Sequence, residues 1–509
     1  MAPALVSVID EVIARLGGEL YLYIQHGDAT AVRLTTFARR QSERALPAPA
    51  IQHDQRGWLA SGRAWIETGL IVIGLLAQFF LLPHVLDADG KIRYQTLDAL
   101  LRESALLDNR YSLIGPLFAT PVWLVGSVFG DAAWWVARFN TLFLGLGLLA
   151  LYLLLRKRMD RGLLREFLLL LLVASMVPAH IEGFYGEVFT TLCVAVGVIL
   201  LFTRARWSGW VALIIGVANT PAAILGLAFM MAQRALRSRR LRYLLIPLGA
   251  LALIGLEAWI RRGSPFASGY GDDHGYRTFM PYSGLPGFSY PFFLGLLSLL
   301  FSFGKGIIFF APGLLLPARR ALGAYSVRLW MIHRLWLLFV VGLILVYASW
   351  WAWYGGWFWG PRFLLFASIP ASLALAVWLR KKDASLWMRL AALGVLTLSC
   401  WVGLNGAVFS DATLAPTCLW DNFAREAYCH YIPEFSVLWR PFVIASQLGL
   451  GQAFYTAERL DPGKLIYAGF TALVYLYFAA PLVVTMIRQA TPLAWRFARE
   501  RLSLAAWRL

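Results

Sequence analysis

The sequence has little charge, and it is poorest in acids. Only 15% of the 509 residues are charged, and 28 acidic residues stand against 46 basic ones. In contrast, 59% of the residues are hydrophobic and 15% are aromatic. A soluble domain cannot hide that much apolar surface, and several stretches approach the roughly 18 to 25 apolar residues that span a bilayer. The composition therefore excludes an ordinary soluble enzyme and predicts an all-α polytopic membrane protein.

Cysteine is also scarce, with four residues in the whole chain. No CxxC pair and no His/Cys cluster has zinc-binding spacing, so the sequence does not indicate a structural zinc site. Cys193 and Cys400 lie inside apolar runs and are expected to be small core residues. Cys418 and Cys429 lie in a polar stretch, eleven residues apart. If that stretch faces an oxidising compartment, the two are expected to form a disulfide.

The sequence lacks internal repeats, low-complexity tracts and a basic soluble domain, so nucleic-acid binding is excluded although the net charge is +18. The basic residues cluster between apolar runs, which is the pattern that sets membrane topology. Residues 1–65 are mixed and basic without a signal-peptide pattern, and we expect a cytoplasmic or interfacial segment. Residues 66–487 are predicted to be the transmembrane domain, and residues 488–509 a basic cytoplasmic tail.

The alternation of basic clusters predicts about ten to twelve spans with both termini inside. The stretch 208–232 is broken at "ANTPAA", which predicts two half-spans or a re-entrant hairpin. The other apolar segments are roughly 66–84, 134–155, 163–180, 186–203, 243–260, 291–316, 335–350, 361–379, 386–406 and 466–487. Four polar stretches are then placed outside, at 85–133, 261–290, 350–360 and 407–465.

The first outer stretch opens with "LDADGKIRYQ", which places Asp87 and Asp89 directly after an apolar segment. This D-x-D spacing suits a divalent cation or a single catalytic carboxylate, but a solvated loop or a helix cap explains it equally well. Arg93 and Tyr94 follow one turn later and suit a phosphorylated or hydroxylated ligand. Arg93 would also keep a carboxylate ionised, as a general base requires. The run 96–107 has leucines at near-helical spacing and predicts an amphipathic surface helix.

Two charged residues lie at or inside apolar stretches, where a charge is costly without a partner. Glu187 begins a predicted span, and it is either a functional acid or an acid favoured by the helix dipole. Lys305 lies between glycines in "SFGKGIIFFAPG". Its distance along the chain from the inner pair Arg319 and Arg320 argues against snorkelling. A phosphate is the natural ligand for such an ammonium, so Lys305 is a candidate substrate-binding residue.

Two outer loops are rich in glycine and aromatic residues. The loop "GSPFASGYGDDHGYRTF" contains Tyr270 and either closes over a substrate or is a plain connection. The loop "SWWAWYGGWFWGPRF" contains Trp353, Tyr354 and Arg362. Its aromatic side chains are either an interfacial belt or a platform for sugar rings. Arg362, at the start of the next span, is expected to hold a phosphate at the membrane edge.

The acid pair in the first outer loop, the amphipathic run after it and the stretches "GSPFASGY", "SFGKGIIFFAPG" and "WWAWYGGWFWGPRF" resemble the GT-C glycosyltransferases. That superfamily includes the protein O-mannosyltransferases and the bacterial aminoarabinose transferases. The resemblance covers roughly residues 66–380, and the chain beyond about residue 400 matches no motif of the family. The fold it implies is a GT-C-like bundle with outward amphipathic loop helices.

The resemblance implies inverting sugar transfer at the outer face of a bacterial inner or plasma membrane. The donor would be a polyprenyl-phosphate-linked sugar, and the acceptor a hydroxyl of a lipid, glycan or protein. Asp89 matches the family's general base, with Asp87 as the alternative because the family often has Asp-Glu where this chain has Asp-Gly. Glu187 matches a second acid, and Lys305 and Arg362 would hold the leaving phosphate. No metal or other cofactor is assigned, although a divalent cation stays open.

A different class of function is a lipid or polysaccharide transporter. A transporter more often shows internal repeats and charged residues in the middle of several spans. Here the unusual polar residues gather at the predicted outer ends of the spans, which favours an enzyme that works at the membrane surface.

Overall fold

The computed structural model describes residues 58–203, 206–270, 278–356, 358–381, 383–409, 418, 423, 425–448, 455–456 and 459–506. The chain divides into two compact units, Met1–Gly62 and Arg63–Leu509, and the account below concerns the second. The predicted N-terminal segment therefore lies almost entirely outside the described residues, as do Trp357 and the acidic part of the loop after Tyr270.

The described part of the chain is all-α apart from one two-residue β-ladder. The strands β1 (Tyr455–Thr456) and β2 (Arg459–Leu460) pair antiparallel. The helices are α1 Trp58–Leu81, α2 Ala88–Glu103, α3 Ile114–Leu117, α4 Thr120–Val128, α5 Ala132–Ala137, α6 Phe139–Leu155, α7 Arg161–Val173, α8 Val177–His180, α9 Gly186–Leu200, α10 Arg206–Asn219, α11 Ile224–Ser238, α12 Leu245–Arg262, α13 Phe292–Phe301, α14 Ile307–Phe310, α15 Arg319–Tyr325, α16 Val327–Tyr347, α17 Ser368–Leu379, α18 Leu386–Val408, α19 Glu426–Tyr431, α20 Arg440–Leu448 and α21 Pro462–Ala506. Short 3-10 turns lie at Pro221–Ala223, Leu241–Leu244, Pro312–Leu315, Arg362–Ala367 and Pro433–Phe435.

Several helices are long and apolar enough to cross a membrane, so the chain is a polytopic membrane protein. Within the described residues six segments qualify by length and composition, and three shorter apolar helices, α6, α9 and α13, join them. The six are Gly62–Leu81, Leu241–Arg262, Val327–Tyr347, Arg362–Leu379, Leu386–Val408 and Pro462–Thr491. The expected number of about ten to twelve spans stays a prediction.

The core forms around α7 and the segment that starts at Arg362. Nearly every residue of α7 from Gly162 to Val173 is buried, including the acid Glu166. The Arg362–Leu379 segment is 89% buried, whereas Gly62–Leu81 and Leu241–Arg262 are each 28% buried. Segments with such exposed apolar faces suit contact with lipid, because the bilayer interior is as apolar as their side chains. Arg362 is therefore the first residue of a segment that lies in the buried centre of the protein.

Two predicted segments contain breaks. The stretch at 208–232 is interrupted at "ANTPAA" as expected, since α10 ends at Asn219 and α11 begins at Ile224. The segment 291–316 does not form the single continuous span that its hydropathy predicts. It divides into α13, a short α14 and a 3-10 turn that starts at Pro312. A proline lacks the backbone N–H that an uninterrupted helix needs, and glycine weakens a helix interior.

The surface helix of the first outer stretch is shifted from its predicted position. The leucine spacing predicts a helix over 96–107, but α2 runs from Ala88 to Glu103. It ends there because Ser104 adopts a left-handed conformation with φ of 55°. Its buried residues are Gly90, Arg93, Thr96 and Leu97, so α2 packs on the protein through a mixed polar and apolar face. The earlier start places Asp89 in the first helical turn.

The helix α18 provides a test of the packing, because it contains two glycines in very different surroundings. A Cβ at Gly403 would lie 1.9 Å from the carbonyl oxygen of Val173, whereas a Cβ at Gly394 would meet nothing within 4 Å. We expect Gly403→Ala to lower the free energy of unfolding by about 1–3 kcal/mol, as overpacking of a close helix contact does. Gly394→Ala should be neutral or slightly stabilising, by up to about 1 kcal/mol. Thermal unfolding in detergent would measure both, and equal effects would contradict the α7–α18 contact.

Candidate active site

Two loops meet and bring Asp87 and Asp89 next to the start of α9. The backbone N–H of Val85 donates to the carbonyl of Glu182 at 2.9 Å, and Val85 forms an isolated parallel bridge with Gly183. The Nδ2 of Asn140 donates to the Gly183 carbonyl at 2.7 Å and secures the second loop. A Cβ at Gly90 would lie 3.2 Å from the backbone nitrogen of Phe184, so α2 approaches this loop closely. The acids before and inside α2 therefore lie beside those of α9.

The two aspartates of the D-x-D motif point to different partners. Ala88 between them has φ of 38°, a conformation that L-residues other than Asn and Asp seldom adopt. Asp87 is exposed and accepts a hydrogen bond from the Tyr185 hydroxyl at 2.6 Å. Asp89 has a side chain that is only 16% exposed and accepts from the Tyr111 hydroxyl, also at 2.6 Å. The backbone thus places the Asp87 carboxylate in an exposed position and the Asp89 carboxylate in a largely buried one.

Arg362 joins Asp89 to the acid of α9. Its Nη1 lies 2.7 Å from Asp89 Oδ2, and its Nε lies 3.8 Å from Glu187 Oε1. The residue is 8% exposed, and its guanidinium lies 3.9 Å from the centre of the Phe358 ring. Its Nε has no hydrogen-bond partner among the described residues. The buried guanidinium thus keeps one unused donor, while the two carboxylates balance its charge.

A buried asparagine connects the helices around this ion pair. Asn219, the last residue of α10, accepts a hydrogen bond from Gly115 N at 3.0 Å and donates to the Gly186 carbonyl at 2.9 Å. Arg93 Nη1 lies 3.4 Å from Asn219 Oδ1 and 3.4 Å from the Ser112 carbonyl. A Cβ at Gly186 would lie 2.7 Å from Arg93 Nη2, so this glycine makes room for the guanidinium. Sequence reasoning marks "ANTPAA" as a break but gives Asn219 no role.

Tyr111 is a second residue that sequence reasoning misses. Its ring lies 5.3 Å from the Arg93 guanidinium and 5.1 Å from that of Arg110. The Arg110 guanidinium also lies 5.7 Å from the ring of Tyr270, which is 38% exposed and contacts Trp350 edge to face at 5.5 Å. A layer of alternating cations and aromatic rings thus extends from Asp89 to the protein surface. Of the aromatic candidates, Tyr270 lies at the open edge of the site.

The electrostatics keep Asp89 ionised. Burial alone would raise the pKa of Asp89, but the charge of Arg362 and the hydrogen bond from Tyr111 together hold the pKa below its ordinary value. Burial and the neighbouring Asp89 raise the pKa of the Tyr111 phenol, so it remains a donor. Burial and the hydrogen bond to Asp87 likewise raise the pKa of Tyr185. The group is therefore an ionised carboxylate flanked by a neutral phenol and guanidinium cations.

The remaining candidates lie elsewhere. The Tyr94 hydroxyl donates to Asp98 Oδ1 at 3.4 Å, so it is turned toward a different cluster on α2. Trp353 and Tyr354 are almost completely buried, and both pack against the ring of His430. A sugar has no access to their faces in this arrangement, and they pack the loop instead.

Lys305 and the cysteine pair help to hold the loop that contains Trp353 and Tyr354. The Lys305 ammonium is 2% exposed and donates to the carbonyl oxygens of Gly356, Phe358 and Gly360 at 3.2, 2.5 and 2.9 Å. Its three donors are thus used by backbone carbonyls rather than left for a phosphate. Cys418 and Cys429 form a disulfide with a Cα–Cα distance of 5.9 Å, the pairing that the sequence leads us to expect.

Comparisons with known proteins give weak similarity only. No protein-family model matches the chain, and no curated protein matches it. Among solved structures, ArnT from Cupriavidus metallidurans in the apo state has a TM-score of 0.43 and 16% sequence identity, over 83% of this chain and 77% of that one. The archaeal oligosaccharyltransferase AglB from Archaeoglobus fulgidus, in complex with an inhibitory peptide and a dolichol-phosphate, has a TM-score of 0.40 and 13% sequence identity. The match covers 68% of this chain and 56% of that one. Similarity at this level does not decide what this chain does.

The Asn219 contacts predict that this side chain stabilises the site. Asn219→Ala would leave the buried Gly186 carbonyl and Gly115 N–H without their partner, at a cost of about 1–3 kcal/mol in the free energy of unfolding. Asn219→Asp should also destabilise, because a carboxylate cannot donate to the Gly186 carbonyl. Thermal unfolding in detergent measures both variants. A change below about 0.5 kcal/mol for Asn219→Ala, typical of surface substitutions, would contradict this role.

Proposed function

We propose that the protein is a glycosyltransferase that moves a sugar from a polyprenyl-phosphate-linked donor to an acceptor hydroxyl with inversion of configuration. The observation that carries the proposal is the 2.7 Å ion pair between Asp89 and Arg362 at the opening beside α9. One displacement at the anomeric carbon needs a base for the attacking hydroxyl and a positive group for the departing phosphate. Asp89 and Arg362 supply these two functions within one site.

Asp89 is the general base in this proposal. It takes the proton from the acceptor hydroxyl while that oxygen attacks the anomeric carbon and the bond to the donor phosphate breaks. In the resting protein Arg362 and Tyr111 keep the pKa of Asp89 low, which ensures that the base is ionised. A donor phosphate would share Arg362 with Asp89 and weaken that effect. The carboxylate then becomes a stronger base when the donor is bound.

Arg362 and Arg93 are the proposed phosphate ligands. The unused Nε of Arg362 and the unpartnered Nε of Arg93 are both buried, and neither has a hydrogen-bond partner within the described ranges. Guanidinium groups bind phosphate through fixed, paired donors, and stabilising the charge on a leaving phosphate accelerates its departure. Glu187, 3.8 Å from Arg362 Nε, restrains the guanidinium before the donor arrives.

The membrane side on which the active site lies and the identity of the acceptor are also proposed here. The parity of the basic clusters supports an outward active site in a bacterial inner or plasma membrane. The acceptor is a hydroxyl of a lipid, glycan or protein. Because Asp87 and Asp89 diverge toward Tyr185 and Tyr111, the proposal assigns no metal to the acid pair.

The base assignment predicts different results for the two aspartates. Asp89→Asn should lower sugar transfer by about 10²–10⁴-fold, the contribution typical of a general base. Asp87→Asn should lower it less than about tenfold, because that carboxylate is exposed and contacts Tyr185 instead of the ion pair. The assay is transfer from labelled polyprenyl-phosphate sugar in membranes, with Asp383→Asn, at an exposed aspartate, as the control.

Retained activity in Asp89→Asn would remove Asp89 as the base and redirect attention to Asp87 and Glu187. Lipid movement across the membrane without any sugar transfer, in the unchanged protein, would support the transporter instead.

The lowered pKa of Asp89 predicts the acid limb of the pH profile of kcat/KM for the donor, which reports the protein before the donor binds. The ionised base is fully present above the ordinary Asp value of about 3.9 and is lost only as pH falls through the lowered folded-state pKa. The acid limb should therefore lie below about pH 3.9. Arg362→Gln removes the lowering charge and leaves the burial, so the limb should move above that value. An acid limb that is identical in both proteins would rule out the Asp89–Arg362 pair as its origin.

A further inference from the structure

The turn that precedes Arg362 is built around one buried cation. Lys305 donates to three carbonyls of this turn, those of Gly356, Phe358 and Gly360. Gly356 and Gly360 have φ of 76° and 61°, which only glycine adopts readily. Three carbonyl oxygens that converge in a buried place need a donor, and an ammonium supplies all three N–H groups.

The same turn determines where Arg362 lies. The Arg362 backbone N–H donates to the Gly360 carbonyl at 3.1 Å. A Cβ at Gly355 would lie 3.0 Å from Arg362 Cγ, so the side-chain stem packs on this glycine. The ring of Phe358 lies 3.9 Å from the guanidinium. Gly360, Gly355 and Phe358 make these three contacts. Each of them supplies a carbonyl to Lys305 or is adjacent in sequence to a residue that does.

Lys305 is in turn held from the opposite side by the disulfide-bearing segment. The Gly304 N–H donates to the His430 carbonyl at 3.0 Å, and a Cβ at Gly304 would lie 2.0 Å from the Cys429 carbonyl oxygen. Cys429 is tied to Cys418. The titratable groups that face Lys305 are the buried Glu426 and His430 of α19 and Arg362 across the turn. The backbone next to Lys305 is therefore held by the Cys429–His430 segment, independently of the turn.

From these contacts we propose that Lys305 is a positioning residue: by binding the carbonyls of Gly356, Phe358 and Gly360 it holds Arg362 against Asp89. The assignment replaces the phosphate-binding role that the sequence suggests for Lys305. As a statement about catalysis it rests on the proposed function. As a statement about the Lys305–Arg362–Asp89 arrangement it is measurable without sugar transfer.

The consequence for Asp89 is specific. The charged and titratable groups around Asp89 are Arg362, Arg93, Tyr111, Tyr185 and Tyr270, with Glu187 on the other side of Arg362. Without the ammonium the turn relaxes and the guanidinium is no longer held at 2.7 Å. The pH at which Asp89 is half protonated should then rise by about one unit, the low end of what a close opposite charge contributes. Asp87 contacts Tyr185 instead of Arg362 and therefore serves as an internal reference for reagent access.

The test is Lys305→Met in the full-length protein in lipid nanodiscs. Carbodiimide-driven amidation at a series of pH values, read by mass spectrometry, reports the protonation midpoint of Asp89, with the amidation of Asp87 as the internal reference. We expect the Asp89 midpoint to rise by about one unit. In parallel, kcat should fall more than tenfold, with partial rescue in Lys305→Arg. Lys381→Met, at an exposed lysine, is the matched control and should change neither value.

An unchanged Asp89 midpoint in Lys305→Met would overturn the proposal, and a raised KM for the donor in the same variant would return Lys305 to a ligand role. If Lys305→Met does not fold, Lys305→Gln, which restores two donors, takes its place and the same unchanged midpoint overturns it. If the wild-type protein transfers no sugar but the Asp89 midpoint still rises in the variant, the proposed function fails and the positioning role stands.

Discussion

The ion pair between Asp89 and Arg362 is the interaction on which the rest of the site depends. It joins α2 to the segment that enters the buried centre of the protein. Withdrawing two charges from water costs several kcal/mol each, and their attraction returns this only with good geometry and additional hydrogen bonds. Such a pair is therefore a poor way to add stability. A chemical role explains better why it occupies the opening beside α9.

Separate parts of the chain hold the two partners of this pair. Tyr111 fixes Asp89 through its hydroxyl, and Asn219 joins α10 to Gly186 and Gly115 beneath it. On the other side, glycines with positive φ form the turn before Arg362, and Lys305 gathers its carbonyls. The acids and cations thus come from several helices, each held by polar contacts that leave Arg362 Nε unused. Preorganised charge of this kind is what the proposed transfer of a sugar from a phosphate to a hydroxyl requires.

Much of the architecture was predictable from sequence, because hydropathy and basic clusters report directly on burial in a membrane. The break at "ANTPAA" follows from such patterns, whereas only the family resemblance suggested that Asp89, Glu187 and Arg362 share one site. Tyr111 and Asn219 were not predictable, since a tyrosine or asparagine in a polar stretch is common. Hydropathy also marked Lys305 as unusual without indicating which oxygens it would bind. Backbone carbonyls and phosphate attract an ammonium in the same way, and only the folded turn distinguishes them.

The most direct measurement of the central claim is an experimental structure of the protein with a polyprenyl phosphate bound. The account predicts that phosphate oxygens lie within hydrogen-bond distance of Arg362, with Arg93 close by, and that Asp89 faces the position of the anomeric carbon. The Lys305 ammonium should still contact the carbonyls of Gly356, Phe358 and Gly360 in that complex. A phosphate bound to Lys305, or bound on a surface that Asp89 does not face, would contradict the account.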